Sequence, residues 1–178
     1  MDDIYVNSPI FIGANKEQIL KTYIHENQIQ LNLVYDSDFK SAKILRDIAQ
    51  LAATLLWVEE KWKSRIILIC DELNNNAVEY GSMQGERNMM RFFMKKERDG
   101  STYLEIEVQD TGRWVNAKNA KKMEHIRNEK LKIGFESYQG IRGRGLFMII
   151  SSLVDTLYFK DCPEWGLIVG IQKKIETK

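Results

Sequence analysis

Three alternating runs constrain this chain more than any other feature. From Gln28 to Tyr35 the apolar Ile29, Leu31 and Leu33 alternate with polar residues; Met90, Phe92 and Met94 repeat the pattern, and Leu104, Ile106 and Val108 alternate with Tyr103, Glu105 and Glu107. A period of two sends every second side chain to the same side of a strand, so each run has one face that must be covered. The second and third runs are separated by a stretch from Arg98 through Asp99 and Gly100 to Ser101, which reads as a turn and makes the pair a hairpin. Two further alternating runs, Thr156 to Lys160 and Gly166 to Lys173, extend the same sheet.

The cover is written between the first run and the second. Ser37 or Asp38 can cap a helix in which Ile44, Leu45, Ile48, Leu51, Ala52, Leu55 and Leu56 recur at steps of three and four. A second helix reads from about Glu60 to Tyr80, with Trp62, Ile66, Ile69, Leu73, Ala77 and Tyr80 on one stripe and Gly81 at its end. After Asp110 an irregular, highly charged segment runs to about Arg142, followed by a glycine cluster and an apolar helix from Gly145 to about Val154. This order predicts an α+β fold, a two-layer sandwich of a mixed, mostly antiparallel sheet with helices on one face. With 178 residues, 44% of them hydrophobic, the chain suits one globular domain. We expect that domain over residues 28–178. Residues 1–27 read as an appendage, with Ile4 to Ile12 as a strand and Asn15 capping a short helix toward His25.

Charge and hydropathy exclude some functions. Lys+Arg 26 against Asp+Glu 25 carries no global signature of nucleic-acid binding, so any anion site must be local. No uncharged apolar run approaches the roughly 20 residues of a membrane span, and the opening Met-Asp-Asp-Ile is unlike a secretory leader. A soluble cytoplasmic protein is the expectation. Cys70 and Cys162 stand outside any metal-like spacing and read as ordinary thiols.

Three segments carry candidate chemistry. Glu72 and Asn76 are four residues apart on the second helix and share a face, with Asn75 and Glu79 beside them. They either edge a cavity or form a solvated face. Asp110 emerges from a buried strand into a turn with Thr111 and Gly112, where it is placed to accept a hydrogen bond from a ligand or simply to make turn chemistry. Gly140, Gly143 and Gly145 precede an amphipathic helix, whose N-terminal N–H groups and positive macrodipole end favour phosphate. A dinucleotide fold does not fit this loop, because no βαβ unit surrounds it.

In this order and spacing the three segments resemble the nucleotide-binding boxes of the GHKL superfamily, which includes gyrase, heat-shock chaperone, histidine kinase and mismatch-repair ATPases. Glu72 to Asn76 is similar to its E-x-x-x-N helix, Asp110 to Gly112 to its first glycine box, and Gly143 to Leu146 to its second. The continuation Asn76 to Gly81 and the start Gly143-Arg-Gly-Leu-Phe-Met-Ile look most like bacterial anti-sigma factor serine/threonine kinases. The resemblance covers roughly Gln28 to Lys173 and implies a Bergerat-type site for ATP and Mg²⁺. It implies Glu72 as general base, Asn76 as the Mg²⁺ ligand and Asp110 as acceptor for the adenine amino group. Glu79, Gly112, Gly143, Arg144, Gly145 and Leu146 would border the nucleotide, under a lid formed by residues 113–142. The implied partners are a sigma factor or an anti-sigma factor antagonist, without direct contact to nucleic acid or membrane, and family members commonly dimerise. Trp114 stands where the family usually has a second glycine, and Tyr80 where it often has His.

Overall fold

The computed structural model describes residues 3–6, 15–115, 117–133, 152–162 and 166–176. The strands among the described residues are β1 (Asp3–Tyr5), β2 (Ile24–His25), β3 (Gln28–Asp36), β4 (Arg87–Lys96), β5 (Thr102–Gln109), β6 (Thr156–Asp161) and β7 (Leu167–Ile175). They form one sheet in the order β1-β3-β4-β5-β7-β6, with β2 also paired to β3. The β1–β3 pair is parallel and the other pairs are antiparallel. The described helices are α1 (Lys16–Lys21), α2 (Ser41–Leu55), α3 (Glu60–Tyr80) and α4 (Ala120–Ile133).

Register turns the alternation into layers. Leu31 pairs with Phe92, Phe92 with Ile106, Ile106 with Ile171 and Ile171 with Leu157, so one apolar row crosses five strands. Leu33, Met90, Val108, Val169 and Phe159 form the next row. These side chains join one buried cluster with Leu45, Ile48 and Ala52 of α2 and Ile66, Ile69 and Leu73 of α3. Each fully buried aliphatic or aromatic side chain contributes about 1.5–3 kcal/mol. A one-residue slip in any strand would turn its whole apolar set to water, which is why the register is fixed. The opposite face holds a polar net instead: the Tyr158 hydroxyl donates to Glu105 and Glu107, and Glu107 also pairs with Arg91 and Lys160. The α+β, two-layer, mostly antiparallel architecture is therefore as expected.

Local chemistry sets the helix starts. Asp38 Oδ1 accepts from the Ser41 backbone N–H at 2.9 Å and from its hydroxyl at 3.0 Å, doing at α2 the work expected of Ser37 or Asp38. Asn15 precedes α1 but makes no side-chain cap bond. At the hairpin turn, Asp99 Oδ1 accepts from Ser101 N–H at 2.9 Å and from the Ser101 hydroxyl.

The described residues before Gln28 pack onto the same sheet and core. Within them β1 adds a strand beside β3, and Ile4, Val6 and Leu20 are buried in the shared core. The charged segment after Asp110 also differs from the irregular expectation, because α4 docks on the sheet edge. Met123 is buried in the core cluster, Ala120 and Ile126 pack against it, and Arg127 Nη1 donates to the Leu157 carbonyl at 2.7 Å. Asp161 Oδ1 accepts from the Ala120 N–H at 2.7 Å, tying the start of α4 to the end of β6. A helix laid here covers a strand edge that would otherwise be open to pairing with another chain. The apolar helix expected from Gly145 lies mostly outside the described residues; Leu153 and Val154, near its expected end, pack against the core.

Candidate functional site

The site starts where α3 ends. Gly81 has φ −106° and ψ −47°, a conformation open to any residue, so the backbone angle is not the reason for glycine at the helix end. Contact is the reason. A Cβ at this position would lie under 3.0 Å from Oδ2, Cγ and Cβ of Asp110, so only glycine lets the helix end meet that carboxylate. Two elements predicted to share one site, the α3 helix and the aspartate at the end of β5, are thereby in direct contact.

Asp110 itself is 8% exposed. Its Oδ1 accepts from the Gly112 and Leu167 backbone N–H groups, each at 2.9 Å, while its own N–H donates to the Leu167 carbonyl at 3.1 Å. Oδ2 is left on the side of Gly81. Burial pushes the carboxyl above its ordinary range, and the two backbone hydrogen bonds oppose that shift. Gly112 has φ +65°, and a Cβ there would be 2.8 Å from Gly166 Cα, so the turn needs glycine both for its backbone angle and for space. The result is a rigid acceptor of fixed orientation beside the end of a helix.

Farther up α3, Asn76 Nδ2 donates to the Glu72 carbonyl at 2.5 Å. The amide nitrogen is committed to the helix, which leaves Oδ1 as the acceptor end. Glu72 is half-buried, and its carboxyl is raised first by burial and then by the charges of Asp71 and Glu79. Glu79 is exposed. At 1.5 Å rise per residue, Glu72 stands roughly 13 Å along the axis from Gly81, with Asn76 between them. Gly143, Arg144, Gly145 and Leu146 lie outside the described residues.

The basic segment expected as a lid is anchored at several points. Arg113 pairs with Glu86 at 3.3 Å, Arg127 donates to the Leu157 carbonyl at 2.7 Å, and Lys118 lies over the Tyr80 ring at 5.4 Å. The Trp114 N–H donates to the Gly81 carbonyl at 3.3 Å. Of these cations, Lys118 stands over Tyr80, the last residue of α3.

Sequence reasoning missed Ser82 and Asn88. The Ser82 hydroxyl accepts from the Thr111 N–H at 2.9 Å and donates to Asn88 Oδ1 at 2.5 Å. One signal was available: Asn88 has the same parity as Met90, Phe92 and Met94, so an amide occupies a position whose neighbours all face the core.

A family model described as a histidine kinase-like ATPase domain matches residues 37–173. The match spans most of the sequence, and the chain belongs to this family. No curated protein matches the sequence significantly. Among the described residues no helix is long and apolar enough to cross a membrane. One feature fits the nucleotide this family implies: a buried carboxylate anchored through Oδ1 by two backbone N–H groups suits an exocyclic amine.

Proposed function

We propose that this chain is an ATP- and Mg²⁺-dependent protein serine/threonine kinase of the anti-sigma factor type, acting in the cytoplasm on an anti-sigma factor antagonist or sequestering a sigma factor. The observation that carries the reading is that one helix bears Glu72 and Asn76 on the same face and ends against the buried Asp110. Asp110 accepts from the adenine amino group and selects the base. Asn76 Oδ1 holds Mg²⁺, which takes few protein ligands and, when bound, neutralises phosphate charge. Glu72 orients the attacking serine hydroxyl and accepts its proton, a role helped by the upward shift of its carboxyl. Gly143, Arg144, Gly145 and Leu146 are assigned to the phosphates in the same proposal, which also includes a homodimer.

Incubation with labelled ATP and a purified candidate antagonist tests it. Wild type should transfer label to the antagonist, and Glu72→Ala should lower transfer by at least about 100-fold, the scale of general-base catalysis. No transfer by wild type, or undiminished transfer by the variant, removes the kinase assignment.

One observation favours a second reading, a nucleotide-binding partner-switch module without turnover. Trp114 replaces a glycine and is tied to the Gly81 carbonyl, which stiffens the segment where a lid would hinge. Calorimetry separates the two: ATP binding without turnover on any partner selects the switch module.

A further inference from the structure

The peptide that follows Asp110 is held from behind by groups that neither reading above uses. Ser82, 1% exposed, sits immediately after the glycine that touches the carboxylate. Its single hydroxyl joins three elements: it accepts from Thr111 N–H on the exit of β5, donates to Asn88 at the start of β4, and is itself carried by the end of α3. Asn88 is equally buried, and its cross-strand partner is Tyr35. The Tyr35 hydroxyl is buried beside Asn88, whose amide favours its charged form, yet neither that hydroxyl nor Asn88 Nδ2 meets a partner in good hydrogen-bond geometry. An apolar pair would fill these inward positions with less penalty, so packing alone does not account for a tyrosine and an amide here. Outside the bracket, Thr111 Oγ1 donates to Glu86, and Glu86 also accepts from the Met83 N–H at 2.8 Å. Both sides of Thr111 are therefore clamped, and with them the backbone that aims Asp110.

We propose that Ser82, backed by Asn88, is the positioning residue for Asp110, setting the direction of Oδ2 and so the preference for an adenine over a guanine base. This rests on the reading of Asp110 as the base acceptor. Adenine offers an amine where guanine offers a carbonyl, so a fixed carboxylate accepts from the first and repels the second. A carboxylate free to rotate loses much of that difference.

The test is calorimetric titration of the whole chain with Mg²⁺-ATP and Mg²⁺-GTP. Ser82→Ala is expected to weaken ATP about ten-fold, the scale of one well-placed hydrogen bond, while GTP affinity stays level, so that discrimination shrinks about ten-fold. Ser82→Thr, which keeps the hydroxyl, should restore it. A merely structural role would lower stability or weaken both nucleotides together and leave their ratio intact, which would overturn the inference. If Ser82→Ala does not fold, the near-isosteric Asn88→Leu carries the same ratio test. ATP binding by wild type with unchanged discrimination in the variants sinks the positioning role alone. Failure of wild type to bind ATP sinks the nucleotide reading and this inference with it.

Discussion

Replacing Gly81 by alanine sets two physical effects against each other. Gly81 lies at the end of α3 with helix-compatible angles, so alanine should gain about 1 kcal/mol in intrinsic helix preference. The new methyl, however, would fall under 3.0 Å from three atoms of Asp110. That carboxylate cannot retreat without losing the Gly112 and Leu167 hydrogen bonds, both at 2.9 Å. Overpacking of this kind costs about 3 kcal/mol at the upper end of its range. The net expectation is a loss of about 2 kcal/mol, or a Tm lower by about 4–8 °C for a chain of this size. Urea and thermal unfolding followed by circular dichroism measure it. The cause is isolated by repeating Gly81→Ala in an Asp110→Gly background, where the clashing side chain is gone and alanine should be neutral or stabilising. A Gly81→Ala protein as stable as wild type would refute the claim that this glycine exists to admit the carboxylate.

Two further outcomes follow from the same contacts. Burial raises the Asp110 carboxyl above its ordinary 3.8, so the folded state binds its proton more tightly than the unfolded state; stability from this group is full below that value and is lost as pH rises through the folded one. Asp110→Asn cannot titrate, so the decline in unfolding free energy above about pH 4 should be smaller than in wild type; equal slopes in urea titrations across that range would count against the buried, ionising carboxylate. Asp161→Ala removes the acceptor for the Ala120 N–H and should cost about 1 kcal/mol, with faster hydrogen exchange across α4; unchanged protection there would show that α4 does not depend on this tether.

Much of the fold and part of the site were legible in sequence because they depend on local periodicity. The alternation of Ile29, Leu31 and Leu33 requires a half-buried strand whatever it pairs with, and the stripe from Trp62 to Tyr80 requires a helix of the length observed. The spacing of Glu72 and Asn76 alone places them on one face. Only the tertiary structure decided why position 81 is glycine, since the constraint comes from Asp110, distant in sequence, and not from the local backbone. The same holds for Ser82 and Asn88, whose meaning depends on the Thr111 N–H meeting the Ser82 hydroxyl, and for β1, whose strand is legible near Ile4 but whose parallel pairing with β3 is not. The segment after Asp110 reads as a charged loop because α4 has a weak apolar stripe; its helix is stabilised by the edge of β6 beneath it. Patterns of two and of three to four residues are written into neighbouring side chains and survive without the rest of the chain. Contacts between residues far apart exist only once the chain has closed on itself.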